Sequence, residues 1–145
     1  MRREDGNVLV EFTLSVTLLT ALFLGVWQFG YSYFIYAGLE QAVRSGARYA
    51  SLQKYDSITS TPSNSFLSAV QNVVVYGDPS PVQDAASVVP GLSTANVALT
   101  VTFSSGVPRG MNVAIQNYRI PGVFGSLILN KPATWFPYVG TFGPP

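Results

Sequence analysis

The sequence predicts an α+β protein in which a long N-terminal transmembrane helix continues into a small domain containing a short helix and an antiparallel sheet of about three strands. Three observations predict it. No charged residue interrupts the run from Phe12 to Leu39, which is longer than the roughly 20 residues needed to cross the hydrocarbon core of a bilayer. Phe66, Ala69, Val70, Val73 and Val74 recur at the spacing of an amphipathic helix. Val97, Leu99, Val101 and Phe103 alternate with Ala98, Thr100 and Thr102, the pattern of a half-buried strand.

The anchor comes first. A domain of this size has too little other protein to cover so long an uncharged stretch, so the stretch is expected to face lipid. Trp27, Phe29, Tyr31, Tyr33 and Tyr36 gather toward its far end, where amphipathic rings favour the headgroup layer. Arg2 and Arg3 precede the run, which predicts a cytoplasmic N-terminus and an extracytoplasmic C-terminal domain. A cleaved secretory signal would have a shorter apolar region of about 7–15 residues and a small-x-small site after it, and no such site directly follows Gly30. Glu11 stands at the mouth of the run, where a carboxylate drawn into the membrane would cost roughly 2.5–3.5 kcal/mol and so demands a reason.

No proline occurs before Pro62, so the helix is expected to leave the membrane and continue to about Lys54, giving an anchor over 7–54 and a domain over 55–145. Gly38, Ala42, Gly46 and Ala50 form one stripe of small side chains along it. Such a stripe admits close approach either of another subunit's backbone or of the chain's own sheet. Glu40 precedes Arg44 by one helical turn in the favoured orientation for an ion pair, and Arg48 continues the row or simply belongs to a solvated face.

The segment "YDSITSTPSNS" is polar and rich in turn residues, so a boundary is placed there. The short helix follows, started by Ser63 or Asn64 and stopped by "YGDPSP". After the strand at "NVALTVTF", a turn is expected over "SSGVPRG" and a second, antiparallel strand over "MNVAIQNYRI", ended by Pro121 and Gly122. "FGSLILN" fits a strand or a helix equally, and Pro137 makes "ATWFPYVGTFGPP" an edge strand or an extended tail. With so modest a core, the domain is expected to dock on the long helix.

Composition narrows the chemistry. The net charge is +1 with the basic residues scattered, so no footprint for nucleic acid exists. The chain has no Cys and no His, which removes disulfides, imidazole bases and the commonest metal ligand. Ser51 and Lys54 match S-x-x-K, but the companion motifs of serine acyl enzymes are missing. Asp56, Asp78 and Asp84 sit among turn residues, where Asp commonly satisfies local backbone rather than forming a glycosidase pair. "GVPRG" lacks the Lys-Ser/Thr ending of a phosphate loop. Trp135, Phe136 and Tyr138 would anchor a partner or pack on their own sheet. No enzyme, cofactor, metal or small-molecule substrate is therefore expected.

The N-terminal residues resemble a type IV pilin-like signal: a short polar leader ending in Gly6, then Asn7, with Glu11 as the fifth residue after the junction. Together with "VEF" at Val10 to Phe12, the apolar run and "LEQAVRSGARYAS" at Leu39 to Ser51, they resemble the TadE-like minor pilins, or pseudopilins, of the tight-adherence (Flp-type) pilus. "AVQNVVVYG", the alternating strands and the aromatic "FPYVGTF" also suit that family. The chain departs from the family at Thr17, where many relatives have Pro, and at Asn7, which is not aromatic as in major pilins. The resemblance implies a leader over 1–6, cleavage between Gly6 and Asn7 by a prepilin peptidase, assembly with other pilin-like subunits through Glu11 and Phe12, and residence in a bacterial inner membrane or its pilus. The other reading is an uncleaved, membrane-anchored binding or scaffolding domain.

Overall fold

The computed structural model describes residues 3–123 and 125–143, with residues 3–6 described as backbone alone. Helix α1 runs over Arg3–Leu52 and helix α2 over Asn64–Tyr76. Five strands follow: β1 (Val97–Ser104), β2 (Val107–Ile115), β3 (Tyr118–Ile120), β4 (Leu127–Leu129) and β5 (Ala133–Pro137). They form a three-stranded sheet in the order β1-β2-β5, antiparallel throughout, and a separate antiparallel β3-β4 hairpin. The α+β expectation holds.

α1 changes character along its length. From Asn7 to Phe34 no residue is buried, and its most apolar window has a mean hydropathy of 2.0. From Ile35 onward one face enters the core through Leu39, Val43, Ala47 and Ala50. This lower domain is helix on helix on sheet: α1 packs against α2, β2 and β5, while α2 also meets β1. Phe66, Val70 and Val74 of α2 join Val97, Val101, Met111, Val113 and Ile115 of the sheet in one cluster.

α2 obeys its local signals. The Ser63 hydroxyl accepts the Phe66 N–H at 3.2 Å, and Gly77, at φ 78°, closes the far end by donating its N–H to the Val73 carbonyl at 3.0 Å. Left-handed backbone is nearly free of cost only for glycine, so the helix stops there.

The sheet departs from expectation in two places. The turn after β1 is only Ser105-Gly106, both at positive φ (54° and 76°), the conformation that matches strand twist in a two-residue hairpin. Pro108, Arg109 and Gly110, expected within the turn, belong to β2, where a register shift between Thr102 and Phe103 absorbs the extra residue. Pro108 is tolerated because β5 pairs only from Gly110 onward. The second strand, expected through Ile120, ends at Ile115. Asn117 turns left-handed (φ 52°), and the Asn96 side-chain amide donates to the carbonyls of Gln116 and Asn117 at 3.1 and 3.2 Å. Residues 118–120 therefore leave the sheet and pair with "LIL" at Leu127–Leu129, which settles that segment as a strand. β5 is an edge strand with Pro137 at its end.

The polar stretch after Lys54 does not hang free. Tyr55 is fully buried, with its ring against Phe66, Phe103, Tyr138 and Phe142. Its hydroxyl donates to the Thr59 carbonyl at 2.8 Å.

Candidate functional surface of the long helix

The exposed half of α1 is long and apolar enough to cross a membrane. Apolar side chains cover it on all sides, and Phe12 is 66 % exposed. Its hydroxyls are already satisfied: Thr13 donates to the Leu9 carbonyl at 2.7 Å, Thr17 to Thr13 at 2.8 Å and Thr20 to Val16 at 2.8 Å. In hydrocarbon an unmatched hydroxyl costs free energy, and bonding back one turn removes that cost at each threonine. Thr17 also retains the backbone N–H that a proline there would lack, so α1 runs through it unbroken. The signal for this was the presence of threonines inside an apolar run.

Glu11 is exposed on this surface, and among the described residues it has no ion-pair partner within the chain. Asn7, one turn earlier, is exposed as well. Residues 1 and 2 of the expected leader lie outside the described residues, and at Gly6 only helical backbone is described. Farther along, Gln28 is the other polar anomaly. Its Oε1 accepts the Val123 N–H at 2.9 Å and its Nε2 donates to Ser32 Oγ at 3.3 Å. A lone amide within an uncharged run was the clue that the chain returns to meet it.

The small-residue stripe is covered by the chain itself, by α2 at Gly46 and by the loop after α2 at Gly38. A Cβ on Gly46 would overlap Val74 Cγ2, one on Gly38 would lie 3.2 Å from Val89 Cγ2, and Ala42 and Ala50 are buried. Glu40 and Arg44 pair at 2.8 Å on the exposed side, whereas Arg48 is exposed and forms no ion pair among the described residues. Arg44 and Arg48 flank an open groove of about 590 Å³ that Tyr49, Leu52 and Phe136 also line.

Of the remaining candidates, Ser51, Asp56 and Asp78 are engaged in local hydrogen bonds. Ser51 is buried and its hydroxyl donates to the Arg48 carbonyl at 2.8 Å, so it is not presented to Lys54. Asp56 accepts from the Ser63 hydroxyl at 2.7 Å, and Asp78 accepts the Ser80 N–H at 2.8 Å as a turn aspartate does. Among the described residues no three acidic side chains gather as a metal would require. Of the aromatic trio, Phe136 and Tyr138 pack on the domain core, while Trp135 covers Gly110 and stays 55 % exposed.

The aromatic C-terminal segment has a task that the sequence did not disclose. The last carbonyls of a helix lack partners within it. Here Val139 donates its N–H to the Ser51 carbonyl at 3.0 Å, and the Tyr138 hydroxyl lies 2.9 Å from the Gln53 carbonyl and 2.8 Å from that of Thr141. Tyr55 donates its N–H to Thr141 and to the Tyr138 hydroxyl, both at 3.0 Å. Burial pushes the Tyr55, Tyr118 and Tyr138 phenols above the ordinary tyrosine pKa, so all three stay neutral donors.

Residues 6–48, which include Gly6, Glu11 and most of the stripe, match the family model described as TadE-like protein. No curated protein and no solved structure matches the chain.

Proposed function

From a chain that is TadE-like over residues 6–48, we propose a minor pilin of a tight-adherence pilus, a structural subunit that works through its N-terminal helix. The observation that carries the reading is the coincidence of that match with a helix that is apolar and uncovered from Asn7 to Phe34 and carries there a carboxylate, Glu11, with no ion-pair partner among the described residues. The helix spans a bacterial inner membrane with its N-terminus in the cytoplasm and the domain outside. A prepilin peptidase cuts between Gly6 and Asn7, and the new amine on Asn7 is neutralised by Glu11 of a neighbouring pilin-like subunit. Opposite charges attract far more strongly in a low-dielectric bundle than in water, and this attraction offsets their desolvation only when subunits lie in register. Phe12 and its apolar neighbours supply the surrounding contact.

N-terminal sequencing of the membrane-extracted protein tests the processing. Asn7 is expected as the first residue, and Gly6→Ala should leave the leader attached. Glu11→Ala should be cut normally yet be depleted from sheared pili. An intact leader in the unaltered protein would favour an uncleaved anchored scaffold, and normal size and piliation in both variants would refute the mechanism.

A further inference from the structure

The proposed assembly mechanism does not use the β3-β4 hairpin, whose turn reaches along α1 to Gln28, beyond Ile35 where burial of the helix begins. Gln28 holds it there by accepting the Val123 N–H at 2.9 Å. The fit is close, since a Cβ on Gly122 would crowd the Gln28 amide and the Gly125 carbonyl. The turn is also closed on itself, with the Gly125 N–H directed to the Gly122 carbonyl at 3.4 Å.

The depth of Gln28 follows from helix geometry. If Glu11 is kept at the inner headgroups, Gln28 lies about 25 Å farther along the axis at 1.5 Å per residue. The hydrocarbon layer is about 30 Å thick, so a turn bonded to Gln28 sits at its outer edge. Trp27 and Phe29, beside Gln28 on the helix, are themselves exposed, as expected of rings at that boundary. The hairpin presents Val123 (57 % exposed), and Leu127 and Ile128 (both 53 %) on its two faces, apolar side chains beside the turn that meets Gln28. Arg119 pairs across from Ile128 and is exposed, as is Lys131 just past β4, so cations are available at headgroup level. Irregular backbone survives at membrane depth only when its polar groups are matched, which the bond to Gln28 does for the Val123 N–H.

We propose that the β3-β4 turn is a second membrane contact, in which Val123, Leu127 and Ile128 enter the outer leaflet while Gln28 sets their depth. This rests on α1 being a span. The contact holds the helix, together with the domain packed on it, at one tilt to the membrane.

The chain has no cysteine, so single labels can be introduced cleanly into the full-length protein. Val123→Cys, Leu127→Cys and Ile128→Cys are labelled with a fluorophore and placed, one copy per disc, in nanodiscs of phosphatidylcholine and phosphatidylglycerol. Ile58→Cys, at the far end of the domain, and Leu18→Cys, within the span, are controls. Spin-labelled lipid should quench the hairpin labels severalfold more than the Ile58 label, and aqueous iodide should quench them less. Gln28→Ala should reduce the lipid quenching at Val123. Hairpin labels that behave like Ile58 while Leu18 is quenched by lipid would overturn the hairpin contact and leave the span standing. Loss of lipid quenching at Leu18 as well would overturn both. Shielding from iodide that appears only with two copies per disc, without lipid quenching, would assign the tip to a neighbouring subunit instead.

Discussion

Replacing Gly46 by alanine separates the two partners open to the small-residue stripe, because they predict opposite signs. On a helix face open to lipid or water, Gly46→Ala would stabilise the helix by about 0.5–1 kcal/mol through backbone entropy alone. In this fold the new Cβ would overlap Val74 Cγ2, with Val74 Cβ at 3.5 Å and the Val70 carbonyl at 3.7 Å behind it. Valine in a helix has essentially one χ1 rotamer, so Cγ2 cannot swing aside, and α2 itself must move. Overpacking of this kind costs about 1–3 kcal/mol, which outweighs the propensity gain and leaves a net loss of about 1 kcal/mol. For a domain of this size that loss lowers the thermal midpoint by roughly 4–8 °C. The midpoint is followed by near-ultraviolet circular dichroism of the full chain in detergent, where the aromatic cluster around Tyr55 reports tertiary order. Adding Val74→Ala should recover part of the loss, a favourable coupling of about 1 kcal/mol in the double-mutant cycle. A midpoint that rises in Gly46→Ala would refute the packing, and loss of piliation alongside that rise would give the stripe to another subunit.

Tyr138→Phe should destabilise by about 1–2 kcal/mol, because the hydroxyl joins the Gln53 and Thr141 carbonyls to the Tyr55 N–H, and hydrogen exchange at the Tyr55 amide should quicken. Ser63→Ala should cost about 1 kcal/mol by uncapping α2. Ser63→Asn should restore most of this in urea unfolding, whereas Ser63→Asp should not, since the Ser63 hydroxyl lies 2.7 Å from Asp56 Oδ2 and a second carboxylate there repels the first. The stability contributed by the buried phenols should be fully present below pH about 10 and be lost above it: the unfolded phenols ionise near their ordinary value while Tyr55, Tyr118 and Tyr138 keep their protons in the fold, so the folded state binds more protons. A urea midpoint unchanged well above pH 10 would contradict the burial of these rings.

The features readable in the sequence are those decided within one turn or one strand. The uncharged run from Phe12 to Leu39, the Ser63 cap, the Gly77 stop and the alternation from Val97 to Phe103 each act through neighbours a few residues away. Gly6, Asn7, Glu11 and Phe12 likewise form a short local pattern at the head of the helix, inside the residues that match the TadE-like family model. The split of the second strand was harder, because Asn96, which bonds the turning backbone, reaches Asn117 from the start of the neighbouring strand β1, distant in sequence. The destination of the stripe depended on α2 crossing at Gly46, and the use of Gln28 depended on a turn distant in sequence. The end of α1 makes the distinction plainest. Local bonds reach only the Arg48 and Tyr49 carbonyls, from the Ser51 hydroxyl at 2.8 Å and the Gln53 N–H at 3.2 Å; Tyr138, Val139 and Thr141 come back from the other end of the chain to satisfy the backbone from Ser51 to Tyr55. Local sequence determines which backbone groups a helix end leaves open and which side chains must avoid water. Only the tertiary structure decides which distant groups meet them, because that choice depends on how the whole chain closes around its core.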